Sequence, residues 1–128
     1  MKYKTIKFNF ENLKVWQNSI QFSKNIYVLT KTFPKNEIYG LTSQIRRASI
    51  SIPLNIAEGK GRYHKKEFIQ FLYLARGSLY EVITCLKLAQ ELKYIPNNHE
   101  PRTKNLIHQA YEIQSQLSGL TKYLKSKS

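Results

Sequence analysis

The feature that most restricts the fold is a run of apolar residues in the second half of the chain. Phe68, Leu72, Ala75, Leu79, Val82, Leu86 and Ala89 follow one another in alternating steps of four and three. Such spacing lines one narrow face of a helix, whereas a strand would send successive side chains to opposite faces and scatter the series. Leu106, Ala110, Ile113, Leu117, Leu120 and Leu124 repeat the rhythm. Two long helices with apolar seams need further helical partners to cover them.

The first half supplies those partners. Leu13, Trp16 and Ile20, followed by Phe22, Ile26, Leu29 and Phe33, cover a wide face at helical spacing, and Pro34 is expected to stop that helix. Ile38, Leu41, Ile45, Ala48 and Ile52 predict a second helix, with Gly59 suited to a C-terminal cap. Pro53 cannot donate to the Ser49 carbonyl, so it is expected to bend this helix without ending it, because residues 54–58 still suit a helical turn. The expected helices span roughly residues 11–33, 37–58, 64–94 and 101–125, with connections short enough for antiparallel neighbours alone. The fold class is therefore all-α, an up-down-up-down four-helix bundle forming one domain over residues 1–128.

Composition narrows the chemistry. Lys and Arg number 21 against 8 acidic residues, a formal charge of +13, which points to a polyanionic partner. All the acidic residues are Glu, and none has a His three residues later, so the Glu-x-x-His pairs of di-metal bundles are absent. His108 and Glu112 stand four apart on the last helix and read as an exposed pair, since two ligands do not make a metal site. Cys85, the single cysteine, falls between seam positions Val82 and Leu86 and reads as an inert, half-buried filler. No metal, no cofactor and no enzymatic activity are expected. With no apolar signal segment, no membrane-length apolar span and one cysteine, the expected location is the cytoplasm.

The charge is unevenly placed. Lys60, Arg62, His64, Lys65 and Lys66 crowd around Tyr63 at the start of the third helix, where unsatisfied backbone amides and the helix dipole favour an anion. A solvated loop with ordinary surface lysines is the alternative. In an up-down bundle both termini and this connection share one end, so Lys2, Lys4, Lys7, Lys122, Lys125 and Lys127 would add to it. Ile69, Tyr73, Tyr80 and Ile83 form a stripe displaced from the third helix's seam and are expected to form a protein interface rather than a base-stacking surface.

Three stretches carry a family resemblance. They are Phe33-Pro34-Lys35 through Tyr39-Gly40-Leu41-Thr42-Ser43-Gln44-Ile45-Arg46-Arg47-Ala48, then Ser51-Ile52-Pro53-Leu54-Asn55-Ile56-Ala57-Glu58-Gly59, and finally Glu67-Phe68, Phe71-Leu72 and Ala75-Arg76-Gly77-Ser78-Leu79 with Glu81. With these motifs the chain resembles the bacterial four-helix-bundle proteins encoded in 23S rRNA intervening sequences. The resemblance covers about residues 11–125 and extends to the accessory variability proteins of diversity-generating retroelements. It implies a ring-shaped homo-oligomer, a pentamer in those relatives, which bind nucleic acid and a reverse transcriptase. His64 departs from the family's usual Ser or Thr three residues before Glu67, which weakens the capping box. Within the motifs Arg46, Arg47, Glu58, Arg76 and Glu81 are expected to form a structural or interface charge network.

Together these features predict a non-catalytic, oligomeric protein that binds nucleic acid, RNA in preference, through Lys60, Arg62, Tyr63, Lys65 and Lys66. The competing expectation is an assembly or adaptor protein that docks a protein partner through its Tyr and Ile stripe, its charge serving solubility alone.

Overall fold

The computed structural model describes residues 5–97 and 99–127. Four helices dominate: α1 (Lys14–Thr30), α2 (Leu41–Lys60), α3 (Lys65–Glu91) and α4 (Pro101–Ser126). Short 3-10 turns at Asn9–Asn12 and Lys35–Glu37 lead into α1 and α2, and no strand occurs among the described residues. No helix among them is long and apolar enough to cross a membrane.

All four helices feed one core. The whole α3 seam from Phe68 to Ala89 is buried, as are Leu106, Ala110, Ile113 and Leu117 of α4, while Leu120 and Leu124 pack at its margin. Phe22, Ile26 and Leu29 come from α1, and Ile45, Ile52 and Ile56 from α2. Helices α2 and α3 form the most extensive contact, and Gly59 explains how they come so close. A Cβ at Gly59 would lie 2.6 Å from the Phe71 Cβ and 2.9 Å from the Phe68 ring. Gly59 is therefore not the cap that its position near a helix end suggests: α2 runs through it to Lys60 and is capped at Gly61.

Pro53 leaves α2 unbroken, with residues 54–58 helical. The Ser49 carbonyl, which a proline at position 53 deprives of its helical donor, accepts a hydrogen bond of 2.8 Å from the Ser23 hydroxyl of α1. A defect in one helix thus becomes a buried link to its neighbour. The other face of α1 meets α4 through side-chain amides: Asn18 donates to Gln116 and Asn25 to Gln109, each at 3.0 Å.

Helix ends differ from the expected ones for local reasons. Helix α1 begins at Lys14 rather than 11 and stops at Thr30, well before Pro34. The Thr30 hydroxyl bonds back to the Ile26 carbonyl at 2.9 Å and the Thr32 hydroxyl to the Leu29 carbonyl at 2.8 Å, closing the last turn. Phe33 still reaches the core, its ring 5.7 Å from that of Tyr94. Helix α2 starts at Leu41, not 37, because the Glu37 carboxylate accepts from the Leu41 amide at 3.0 Å and so precedes the helix as its cap. Ile38 is consequently exposed rather than part of the seam. Helix α3 ends at Glu91, where Lys93 takes a left-handed φ of 63°. The Tyr94 amide bonds to the Ala89 carbonyl and the Lys93 amide to that of Gln90, a Schellman closure with lysine in the position glycine favours. Pro101 and the Glu100 carboxylate, which accepts from the Arg102 amide, open α4.

Candidate nucleic-acid interface

The turn from α2 to α3 gathers the cations singled out in the sequence. Lys60, in the last turn of α2, lies with its Nζ 5.9 Å from the Phe68 ring centroid. Arg62 stands over the Phe71 ring at 4.7 Å and pairs with Glu58 at 3.3 Å, one turn back. Both cationic heads therefore lie over aromatic rings. Tyr63 is 93% exposed, braced only by an edge contact with the His64 ring at 4.9 Å. A ring so open to water gains little by burial in the fold and is free to stack on a planar partner.

Lys65 and Lys66 open α3. No side chain caps this helix; the Glu67 and Phe68 amides bond to the His64 carbonyl, and the Lys65 and Lys66 amides have no acceptor among the described residues. With His64 as a cap whose side chain accepts no hydrogen bond, these donors are left beside two lysines and the positive end of the helix dipole. Arg62 to Lys66 accordingly present cationic, hydrogen-bonding and aromatic groups within five residues. Lys2 and Lys4, expected to add to this end, lie outside the described residues.

The motif charges do not join into one network. Arg46 is satisfied by α1: its Nε donates to the Thr30 hydroxyl at 2.8 Å, and its guanidinium lies 4.7 Å from the Tyr27 ring centroid. Glu81 accepts from Gln44 across the α2–α3 contact. Glu58 holds Arg62, Arg47 has no carboxylate partner among the described residues, and Arg76 lies over Tyr73 at 5.0 Å. Apart from the Glu58–Arg62 pair, then, Arg46, Glu81 and Arg76 are held by a hydroxyl, an amide and rings, and Arg47 is exposed. Along the expected interface stripe Ile83 packs against the core, Ile69 and Tyr73 are half-buried, and Tyr80 is exposed. Exposed apolar residues on the paired helices include Leu74 and Leu88 of α3 and Ile50 and Leu54 of α2, with Leu54 and Leu74 near the Ser51–Ser78 hydrogen bond that spans the two helices.

Cys85 is buried, more completely than expected, and burial first and the Glu81 charge second raise its thiol pKa, which disfavours the reactive thiolate. His108 and Glu112 are both exposed, Glu112 accepting from Asn18 at 3.4 Å. Among the described residues no three His, Cys or carboxylate groups gather as a metal site would require.

No curated protein matches the chain. A solved structure from Bacteroides thetaiotaomicron, described as a protein with unknown function from the S23 ribosomal protein family, is similar in fold. It superposes with a TM-score of 0.73 at 23% identity, covering 84% of this chain and 98% of its own. The sequence features of 23S rRNA-intervening sequence proteins match residues 11–119, and with most of its length accounted for in this way the chain belongs to that family.

Proposed function

We propose that the protein is a non-catalytic RNA-binding module that engages phosphates through the turn between α2 and α3. The observation that carries this reading is the union, within Lys60–Lys66, of four cations, an almost fully exposed tyrosine and a helix N-terminus with uncapped amides. Glu58 neutralises one of those cations only partly, in an exposed pair. Phosphate contacts carry little base information, so binding is broad in sequence.

The reading includes an antiparallel bundle assembled into a homo-oligomeric ring, a pentamer. Alternating helix directions are supported by cross-helix partners whose numbers fall on one helix as they rise on the next: Gln44 with Glu81, Ser51 with Ser78, and Gly59 with Phe68. Assembly is supported by Leu54 and Leu74, 59% and 55% exposed on the paired helices α2 and α3. In a ring, one phosphate-binding turn per copy would act together.

The test is RNA binding across a salt series with the parent and the variant carrying Lys60→Gln, Arg62→Gln, Lys65→Gln and Lys66→Gln. Glutamine removes each charge while keeping a polar, helix-compatible side chain. The variant should bind every RNA more weakly, and its log affinity against log salt should flatten by up to about 0.7 per lost single-strand contact. Equal affinity with an unchanged slope would sink the assignment and leave an adaptor role, docking a protein partner, in its place.

A further inference from the structure

A second cationic feature lies outside the α2–α3 turn, in a groove of about 190 Å³ between α3 and α4. Leu72 and Leu117, both buried, form part of its lining. Tyr73, Arg76, Ser118, Thr121, Lys122 and Lys125 complete it, and no carboxylate is among the lining residues. Tyr73 organises the charge: the Arg76 guanidinium lies 5.0 Å and the Lys125 Nζ 5.5 Å from the centroid of the same ring. The two positive groups are thus held within about one Debye length of each other, ~10 Å at 0.1 M salt. Lys122 adds a third from the helix turn between Ser118 and Lys125.

None of these cations has an ion-pair partner among the described residues. Thr121, a residue 7% exposed, lines the groove, and its hydroxyl has no hydrogen-bond partner among them. Like charges gathered without a counter-ion repel one another, and apolar walls reduce the screening that water provides. The arrangement is relieved by an anion with several acceptor oxygens. Phosphate fits best: the planar arginine fork can bond two of its oxygens, the ammonium groups act as point charges, and the hydroxyls donate to what remains.

We propose that the α3–α4 groove is a phosphate-binding site, with Arg76, Lys122 and Lys125 as counter-charges, Thr121 and Ser118 as neutral donors, and Tyr73 as the shelf that holds two of the cations in place. The groove shares no lining residue with the α2–α3 turn. Its ligand is a phosphate group, carried either as the diester of an RNA backbone or as a free or terminal monoester.

Backbone-amide NMR of the full chain tests this, with inorganic phosphate titrated against sodium chloride at matched ionic strength. Saturating shifts confined to the amides around residues 73–76 and 118–125 are expected for phosphate and not for chloride. A variant with Arg76→Gln, Lys122→Gln and Lys125→Gln should weaken the apparent affinity at least about tenfold, and Lys122→Gln alone should weaken it in part. The Lys60/Arg62/Lys65/Lys66 glutamine variant should keep the parent's phosphate response, so loss of RNA binding at the turn and loss of the groove are separable. An RNA oligomer lacking terminal phosphates that shifts the same amides assigns the diester. A nucleoside monophosphate that does so where the oligomer does not assigns the monoester. The proposal is overturned if phosphate acts no differently from chloride, if the triple variant responds like the parent, or if a polyglutamate peptide produces the shifts and phosphate does not.

Discussion

Gly59 and Gly77 both lie inside helices, yet alanine should act on them in opposite directions. At Gly59 the added methyl meets the Phe71 Cβ at 2.6 Å and the Phe68 ring at 2.9 Å, atoms that cannot swing away without moving the α2–α3 contact. Gly59→Ala should destabilise by about 1–3 kcal/mol despite the better helix former, because overpacking at a close helix crossing outweighs propensity. Around Gly77 nothing lies within 4 Å. Gly77→Ala should stabilise by about 0.5–1 kcal/mol, the backbone entropy that glycine costs in a helix. Urea unfolding of the two variants at one protein concentration checks both signs. A stabilised Gly59→Ala would show that the helices can part cheaply. Position near a helix end made Gly59 legible as a cap, whereas its true neighbours Phe68 and Phe71 stand nine and twelve residues on, a distance over which a glycine leaves no pattern in sequence. Arg76 was legible as a motif charge but not as a groove residue, since its companions Lys122 and Lys125 belong to another helix.

Helices α3 and α4 were legible because every turn contributes an apolar residue to one seam, and packing against neighbours keeps that face inward. Helix starts were less so, because a buried or half-buried hydrogen bond there overrides periodicity, as Glu37 does ahead of α2. Its carboxyl is held below the ordinary glutamate value by the Leu41 amide first and the Tyr94 hydroxyl second, the latter bond being 2.8 Å. The lowered folded value means that this stabilisation is present above the ordinary glutamate pKa and is lost as pH falls through the folded one. Tyr94 is raised by the same bond, so its share is present below the ordinary tyrosine pKa and lost as pH rises through the folded value. Glu37→Gln should therefore flatten the acid limb of a stability–pH curve, and an unchanged limb would remove Glu37 as its cause. The α1–α2 contact carries a second element-scale prediction. Ser23→Ala leaves the Ser49 carbonyl buried without its donor and should cost about 1–3 kcal/mol. In a Pro53→Ala background the restored amide can serve that carbonyl, so Ser23→Ala should cost less there. A strictly additive double-mutant cycle would mean the two donors never compete for one acceptor.

At the scale of the whole molecule, charge opposes the fold that the apolar seams build. The chain carries a formal +13, while the one ion pair among the described residues, Glu58–Arg62, has side chains 59% and 43% exposed and contributes little. Its cations are held by rings instead: Arg46 on Tyr27, Arg62 on Phe71, and Arg76 with Lys125 on Tyr73. Such contacts keep positive groups near one another without cancelling them. Two unit charges about 10 Å apart in water repel by about 0.4 kcal/mol, and with so large an excess of one sign many such terms add. Raising sodium chloride from about 10 mM to about 150 mM shortens the Debye length from ~30 Å to ~8 Å and removes most of them. Stability should therefore rise with salt, by several degrees in Tm at roughly 4 °C per kcal/mol for a domain of this size. The protein must be stripped of nucleic acid first, because a bound polyanion would already neutralise the same groups, and its release by salt would lower Tm and mask the effect. RNA affinity, by contrast, should fall over that salt range. A Tm that stays flat or drops with salt in the stripped protein would mean that attractive pairs outweigh repulsion in the folded state. The excess charge would then be a tolerated feature of the surface, not a standing repulsion for an anionic partner to relieve.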